Sequence, residues 1–458
     1  MINIDALRYI YGNDDLILDG QWKRYEQTRQ AFIDHFGPGP TTFFRTPGRL
    51  NLIGEHTDYN GGFVLPVALD RDILCVARAR DDEQINVTNI EPQFAPFSFT
   101  LGREIPHAPP GDWSNYFRGI GQQIVRHFNT RKIHGMDILV SGAMPFSIPR
   151  GAGLSSSTAL SVSAALALVT LNEIAIDRAE LAYLCSEGEW YVGTRGGMMD
   201  QFATLLGRRD HALFLDCRPS PEGVYTYEHV PMLGGVQVVL LSSGVHHDNV
   251  HGEFNRRVAE CKIGVRLLQR LYPTIRQLRD VMPQKLGLAD DELDALLKQM
   301  LPVSATVDEL IRMGIDRPWL EALIADHRLD PQLPFVVQSR CRHVIAENAR
   351  VLAGVKALKR GDLAEFGALM NRAHTSMSQD YGASCEEVDI LVDLVQQQPG
   401  VLGARITGAG WGGGVVALVE HDADELWILV VQSAYRAMTG LNTQVFVCRP
   451  GDGAGWVE

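Results

Sequence analysis

Residues 149–174 join a glycine- and serine-rich segment, PRGAGLSSST, directly to a long apolar stretch, ALSVSAALALVTLNEI. We predict a helix over 155–174, and its small, apolar residues occupy every side of that helix. A helix that is apolar all round must be buried. A chain of 458 residues has room for the large core that such a helix requires, in two or three domains.

The remaining patterns predict an α+β fold in two domains, 1–205 and 206–458. A helical pattern over 22–36 precedes a series of strand-like runs: TTFFRT, FVLPVAL, DILCVARA, QINVTNI and FSFTL. Strand and helix signals alternate again near the C-terminus, from ARITGAG to TQVFVCRP. Between them, residues 270–335 are charged and helical, with breaks at prolines, and we interpret this stretch as a helical insertion in the second domain.

Charge and cysteine usage exclude several classes of function. The net charge of −13 repels polyanions, so we expect no nucleic-acid partner. The first residues lack the pattern of a secretory signal, and no stretch is long and apolar enough to span a membrane. Seven scattered cysteines favour reduced thiols in a cytoplasmic protein. Nothing in the sequence indicates an obligate protein partner.

A polar, glycine-rich segment, PGRLNLIGEHTDYNGG, occupies residues 47–62, directly before an apolar run. It contains Arg49, Glu55, His56 and Asp58. Carboxylates, imidazole and amides suit a ligand rich in hydroxyl groups, because each hydroxyl can both donate and accept a hydrogen bond. The alternative is an ordinary β-hairpin with NGG as its turn.

The segment before the apolar helix has the features of an anion site. A glycine-rich loop at a helix N-terminus offers backbone N–H groups and the positive end of the helix dipole. The hydroxyls of Ser155, Ser156 and Ser157 add donors and could bind Mg²⁺. No lysine lies between Lys132 and Lys262, which excludes the lysine-containing P-loop. The alternative is a buried helix capped by a serine.

Two further glycine-rich segments are candidates for a ligand-binding or catalytic role. ITGAGWGGG, at 406–414, lies between two predicted strands, where glycines permit close approach of a ligand or of another loop. GGMMDQ, at 196–201, sets one acid, Asp200, among glycine and apolar neighbours, which makes it a candidate base. The alternatives are a tight packing turn and a helix-capping aspartate.

These four segments, in this order, resemble the galactokinase family of the GHMP kinase superfamily. GRLNLIGEHTDYNGG resembles the galactokinase signature, GLSSSTAL the phosphate loop, GGMMDQ the segment with the catalytic aspartate and ITGAGWGGG the C-terminal glycine motif. DWSNYFRGI, HALFLDCRP, EFNRRVAEC and MSQDYGASCEEVD extend the resemblance to residues 40–450. It implies two domains with the active site in the cleft between them, and transfer of phosphate from ATP, with Mg²⁺, to the anomeric hydroxyl of a sugar.

The resemblance also implies roles for individual residues. Asp200 would take the proton from the anomeric hydroxyl, while Arg49 would stabilise its charged form and the transferring phosphoryl group. Trp113 would lie against the adenine. The sugar would be held by Glu55, His56, Asp58, Gly197 and Phe254. The phosphates would be held by Gly151, Gly153, Leu154, Ser155, Ser156 and Ser157. The metal ion would lie near Ser156 or Ser157, and we add Glu189 as a candidate ligand, with a solvated helix acid as the alternative.

Departures from the family pattern bear on the choice of sugar. Three features resemble the branch with N-acetylgalactosamine kinase and yeast galactokinase more than the bacterial galactokinases. They are the segment EWYVGTRGGMMDQ, the insertion at 270–335 and the tryptophan of GAGWGG. Phe254 replaces a tyrosine of typical galactokinases, and Phe446 stands where some family members have tyrosine. Each change removes a phenolic hydroxyl. We therefore expect a galactose kinase, with a kinase for N-acetylgalactosamine, galacturonate or arabinose as the alternative. A non-catalytic galactose sensor is disfavoured, because the phosphate loop is full length and Asp200 is present.

Overall fold

The computed structural model describes residues 3–193, 196–232, 234–245 and 250–457. Strands and helices are mixed throughout this part of the chain, as the sequence predicts. The strands are β1 Thr42–Asn51, β2 Phe63–Val64, β3 Pro66–Ala79, β4 Gln84–Asn89, β5 Phe97–Thr100, β6 Met136–Ser141, β7 His211–Asp216, β8 Thr226–Pro231, β9 Val236–Ser242, β10 Val401–Thr407, β11 Gly414–Glu420, β12 Gln444–Cys448 and β13 Gly455–Val457.

The helices lie between and around these strands. They are α1 Ile4–Tyr11, α2 Asp15–Phe36, α3 Ser114–His127, α4 Ser156–Leu171, α5 Arg178–Glu189, α6 Met199–Leu206, α7 Val250–Leu268, α8 Pro283–Leu286, α9 Asp290–Met300, α10 Val307–Arg312, α11 Arg317–Asp326, α12 Gln338–Arg360, α13 Leu363–Ser376, α14 Glu386–Gln396 and α15 Leu426–Thr439. None of the helices in the described ranges is both long and apolar enough to cross a membrane.

A six-stranded sheet organises the N-terminal half, in the order β13-β1-β3-β6-β4-β5. The apolar helix α4 packs against β1 and β3, and its residues from Val162 to Val169 are buried, so the prediction of a buried helix is confirmed. On the opposite face, Phe43 of β1 and Val76 of β3 form a second core with Tyr25 and Phe32 of α2. Each face of the sheet is therefore covered by helices, which anchors the strand that carries Arg49.

The C-terminal half is built on a four-stranded sheet, in the order β10-β11-β9-β12. The predicted helical stretch at 270–335 contains α8 to α11. Its leucines, among them Leu297 and Leu310, share one apolar core with Leu267 of α7 and Val415 of β11. The insertion therefore adds to the core of this half of the chain.

Two connections tie the halves together. Strand β7 pairs with β2 in a small three-stranded sheet, and the last strand, β13, returns to pair with β1. The halves meet where β1 ends, at the motif of residues 47–62, and where β10 leads into the glycines of residues 408–414. The division at residues 205 and 206 stays a prediction.

Candidate active site

A cleft of about 310 Å³ lies between the two halves of the chain. It brings together eleven of the residues predicted from the sequence, which come from five separate segments: Arg49, Glu55, His56, Asp58, Gly153, Ser155, Ser157, Glu189, Gly197, Asp200 and Phe254. Arg49 lies on β1, Asp200 in the first turn of α6, and Phe254 in the first turns of α7. Each of these segments alone is weak evidence for a functional site, but together they line a single cleft.

Arg49 and Asp200 form a bidentate ion pair on one wall of the cleft. Nε of Arg49 donates to Oδ1 of Asp200 at 2.6 Å, and Nη2 donates to Oδ2 at 2.8 Å. The third nitrogen, Nη1, donates to the carbonyl of Gly153 at 2.5 Å. The Asp200 carboxylate raises the pKa of Arg49 against the opposing effect of burial. The guanidinium thus holds both the candidate base and the phosphate loop in place.

The phosphate loop reaches the cleft through a left-handed turn. Gly153 has φ of +77° and Ser155 has φ of +53°, immediately before α4 begins at Ser156. A β-carbon on Gly153 would lie 3.0 Å from the carbonyl oxygen of Thr407, so the loop packs against the C-terminal half there. The hydroxyl of Ser155 does not cap α4 and donates instead to Asp200. The alternative of a serine-capped helix is therefore wrong at this position.

Glu55 joins the motif of residues 47–62 to the C-terminal glycine motif of residues 406–414. Its Oε1 accepts a hydrogen bond from the amide of Gly408 at 2.9 Å and lies 3.6 Å from Nη1 of Arg405. Both side chains are buried, and burial raises the pKa of Glu55 although Arg405 opposes this effect. The carboxylate lines the cleft and also holds the two halves together at its base.

His56 and Phe254 form an aromatic wall of the cleft, with ring centres 5.6 Å apart. His56 has φ of +62°, a conformation that is costly for a residue other than glycine and that tends to be kept at functional sites. Its Nδ1 is 2.7 Å from the hydroxyl of Tyr59. Burial lowers the pKa of His56 well below its ordinary value, so the ring is neutral.

Asp58 lies beside the glycines that precede α6. A β-carbon on Gly197 would lie 2.0 Å from an Asp58 carboxylate oxygen, so only glycine fits there without displacing the acid. The amide of Met199 donates to Asp58 at 3.4 Å. Burial, and then the charge of Asp200, raise the pKa of Asp58 to about 6.

Glu189 closes the cleft from the end of α5. Its Oε2 accepts a hydrogen bond from Thr158 at 3.2 Å, while its Oε1 is buried and has no hydrogen-bond partner within the described ranges. Burial and the charge of Asp200 raise the pKa of Glu189 to about 7. An acid in this environment is not a solvated helix acid, so that alternative is wrong.

Four predicted nucleotide-site residues lie outside the lining of this cleft. Leu154 packs in the apolar core, and Gly151 and Ser156 lie one or two positions from lining residues. Trp113 lies edge-to-face against Phe97, with ring centres 4.8 Å apart, and its Nε1 donates to the carbonyl of Ala95. Its contact with adenine stays a prediction.

Phe446, which we expected to affect the choice of sugar, also lies outside the cleft. It is on β12, with the guanidinium of Arg71 5.1 Å from its ring centre. We therefore assign that effect to Phe254.

Sequence reasoning missed several lining residues. Tyr116, Gln201 and Ala409 line the cleft, and Arg405 supports it from β10. Tyr116 follows Trp113 in a segment that carries the resemblance, and Arg405 interrupts an otherwise apolar strand. A charged residue in the centre of a predicted core strand was the available signal, because such a charge must find a partner.

Comparison with protein families gives three matches along the chain. Residues 30–79 match the galactokinase galactose-binding signature. Residues 115–208 match the N-terminal domain of the GHMP kinases, and residues 355–435 match the C-terminal region of the same superfamily. The first match contains Arg49 to Asp58, and the second contains the phosphate loop and Asp200.

Curated relatives match over nearly the whole chain. A galactokinase from Roseiflexus sp. (strain RS-1) is 37% identical over 433 residues, which cover 94% of this chain and 97% of the relative. A galactokinase from Chloroflexus aggregans is 36% identical over 428 residues, which cover 93% of this chain and 96% of the relative. The closer likeness to the branch with N-acetylgalactosamine kinase stays a prediction.

Solved structures agree with these matches. The crystal structure of Lactococcus lactis galactokinase complexed with galactose is 30% identical in sequence, has a TM-score of 0.76, and aligns over 94% of this chain and 99% of that one. Methanococcus jannaschii mevalonate kinase aligns over 90% of this chain and 99% of its own with a TM-score of 0.53, at 15% identity, and shows the fold alone. The predicted two-domain α+β architecture is confirmed.

Proposed function

Because the chain belongs to the galactokinase family of the GHMP kinases, we propose that it is an ATP-dependent galactokinase. It transfers the γ-phosphoryl group of ATP to the anomeric hydroxyl of galactose, giving galactose 1-phosphate and ADP. The observation that carries this function is the Arg49–Asp200 pair, held by the phosphate loop in the cleft that Glu55, His56 and Asp58 also line.

The chemistry follows from this geometry. Asp200 is the group that accepts the proton of the anomeric hydroxyl, and the guanidinium of Arg49 orients its carboxylate through two hydrogen bonds. The backbone of the loop and the N-terminus of α4 hold the phosphates. Phosphoryl transfer needs little covalent help from a protein, so positioning and electrostatic stabilisation account for most of the rate.

Mg²⁺ fits two further residues that line the cleft. Glu189 has a buried carboxylate oxygen without a hydrogen-bond partner in the described ranges, and Ser157, the second residue of α4, lines the cleft. One carboxylate and one hydroxyl suit Mg²⁺, which usually keeps several waters and binds substrate phosphates. We propose that Glu189 and Ser157 hold the ion, which would neutralise charge on the phosphates when bound.

Glu189→Gln is expected to raise the Mg²⁺ concentration needed for half-maximal activity by about tenfold, because the amide keeps the shape of the side chain but removes its charge. Glu187→Gln is the matched control, since Glu187 lies on the same helix and accepts a hydrogen bond from Tyr183 outside the cleft. A Mg²⁺ titration checks both variants. A Glu189→Gln curve that overlays the wild type would discard the assignment.

The test of the function is an assay of ADP release over free galactose, glucose, galactosamine, N-acetylgalactosamine, galacturonate and arabinose. We expect the highest kcat/KM with galactose. A clear preference for N-acetylgalactosamine or galacturonate would select the alternative kinase, and no ADP release with any sugar would select a sensor. The intact Arg49–Asp200 pair supports the enzyme over the sensor.

Phe254→Tyr is expected to narrow the range of sugars. Phe254 presents an apolar ring to the cleft, so we expect wild-type turnover of galactosamine or N-acetylgalactosamine. A phenolic hydroxyl would add a polar contact and raise the galactose preference about tenfold. Phe446→Tyr is the control, because it adds the same hydroxyl outside the cleft. An unchanged ratio of the two kcat/KM values in Phe254→Tyr would contradict the prediction.

A cytoplasmic location is also part of this proposal. The seven cysteines are all free, which supports a compartment where thiols stay reduced.

A further inference from the structure

Two hydroxyl groups and one thiol group form a line of contacts that leads from His56 into the C-terminal half of the chain. The hydroxyl of Tyr59, 2.7 Å from His56 Nδ1, lies 2.5 Å from the hydroxyl of Tyr381. The hydroxyl of Tyr381 lies 3.8 Å from the Sγ of Cys261. We call His56, Tyr59, Tyr381 and Cys261 the phenol chain. Tyr59 lies three positions after His56, whereas Cys261 lies on α7 and Tyr381 follows α13, and Tyr381 is fully buried.

All members of the phenol chain are uncharged. Burial raises the pKa values of Tyr59, Tyr381 and Cys261 and lowers the pKa of His56 well below its ordinary value. Each member therefore donates or accepts hydrogen bonds as a neutral group, and the adjacent members of the phenol chain determine which group is the donor in each bond. A neutral imidazole carries one proton, so the nitrogen that faces the cleft is either a donor or an acceptor.

The groups around His56 favour a proton on Nε2. A phenol is a strong donor and a neutral imidazole nitrogen is a strong acceptor, so Tyr59 donates to Nδ1. Nε2 itself is buried and has no hydrogen-bond partner among the described residues. The Nε2–H group is therefore available to donate a hydrogen bond to a ligand.

We propose that Tyr381 is a positioning residue for sugar recognition. Its hydroxyl donates to Tyr59, which is thereby kept as the donor to His56, so that Nε2–H is presented to one hydroxyl of the sugar. The ring of Tyr381 also packs against the imidazole of His56, with ring centres 4.5 Å apart. His343 packs against the ring of Tyr381, at 4.6 Å. The inference rests on the proposed function, because it names how the galactose site reads one of its hydroxyls.

Tyr381→Phe keeps the ring and removes the hydroxyl that donates to Tyr59 in the phenol chain. Loss of a buried hydrogen bond of this kind is expected to raise the KM for galactose about tenfold, with the KM for ATP within about twofold of the wild type. Tyr25→Phe is the matched control, because Tyr25 is equally buried and its hydroxyl lies 3.1 Å from that of Tyr11 in the N-terminal helices. Circular dichroism and thermal unfolding establish that each variant is folded.

The decisive readout uses the four monodeoxygalactoses that lack the 2-, 3-, 4- or 6-hydroxyl. In the wild type, each missing hydroxyl lowers kcat/KM relative to galactose. In Tyr381→Phe we expect this penalty to shrink about fivefold or more for one hydroxyl and to stay unchanged for the other three. Tyr59→Phe, measured in parallel, should reduce the penalty for the same hydroxyl.

A merely structural role would lower kcat/KM for galactose and all four analogues by one common factor, and that result would overturn the proposal. Unchanged kinetics in both tyrosine variants would overturn it as well. If Tyr381→Phe does not fold, Tyr59→Phe decides by the same criterion. Failure of the wild type to phosphorylate galactose would instead contradict the proposed function, and calorimetric binding of galactose to the wild type separates the two failures.

Discussion

Asp200→Asn is expected to lower kcat by about 10²–10⁴-fold, which is the usual contribution of a positioned general base. Asparagine keeps the size of the side chain and can still accept a hydrogen bond from Arg49. It cannot take the proton of the anomeric hydroxyl, and it no longer balances the charge of a guanidinium whose side chain is only 6% exposed. Single-turnover kinetics with saturating ATP and galactose measure the loss at the chemical step.

Two controls make the result specific. Binding of ATP to Asp200→Asn should change little, because the amide oxygen can still accept the hydrogen bonds that Arg49 and Ser155 donate to Oδ2 of Asp200. Asp137→Asn is the matched variant, since Asp137 is a buried acid on β6 that pairs with Arg78 and Arg80 away from the cleft. We expect Asp137→Asn to lower stability and to keep kcat within about twofold. If Asp200→Asn keeps more than about a third of the wild-type kcat, Asp200 is not the base.

Local patterns predict the elements whose environment is uniform. The apolar stretch after residue 158 becomes α4 because small apolar side chains on all sides suit a helix buried beneath a sheet. Helix α2 extends further than its predicted core, to Asp15, because Asp14 accepts hydrogen bonds from the amides of Leu16 and Ile17. A capping acid of this kind can be found in a sequence once the helix is suspected.

Long-range pairing lies beyond such patterns. Strand β13 has three residues and pairs with β1, which lies about four hundred positions earlier in the chain. Arg49 and Asp200 are 151 positions apart, and Tyr59 and Tyr381 are 322 positions apart. A sequence read segment by segment names candidate residues, and the family resemblance orders them. The packed fold brings Tyr381 beside Tyr59 and Arg405 beside Glu55, and a sequence pattern does not reveal these partners.

Arg49→Lys tests whether charge alone is enough at this position. Lysine keeps the positive charge but offers a compact ammonium group in place of a planar fork, so it cannot reach both oxygens of Asp200 and the carbonyl of Gly153 together. We expect kcat/KM to fall by about 10²–10³-fold, as when one preorganised donor to a transition state is removed. Steady-state kinetics with galactose measure the change.

Arg45→Lys is the control for this variant. Arg45 lies on the same strand and is also buried, but its Nε donates at 2.9 Å to Asp72, which also pairs with Arg24 of α2. We expect Arg45→Lys to lower the free energy of unfolding while kcat/KM stays within about threefold of the wild type. Similar losses of kcat/KM in both variants would mean that Arg49 only stabilises the fold. A large loss confined to Arg49→Lys would assign its guanidinium to the transferring phosphoryl group and the base beside it.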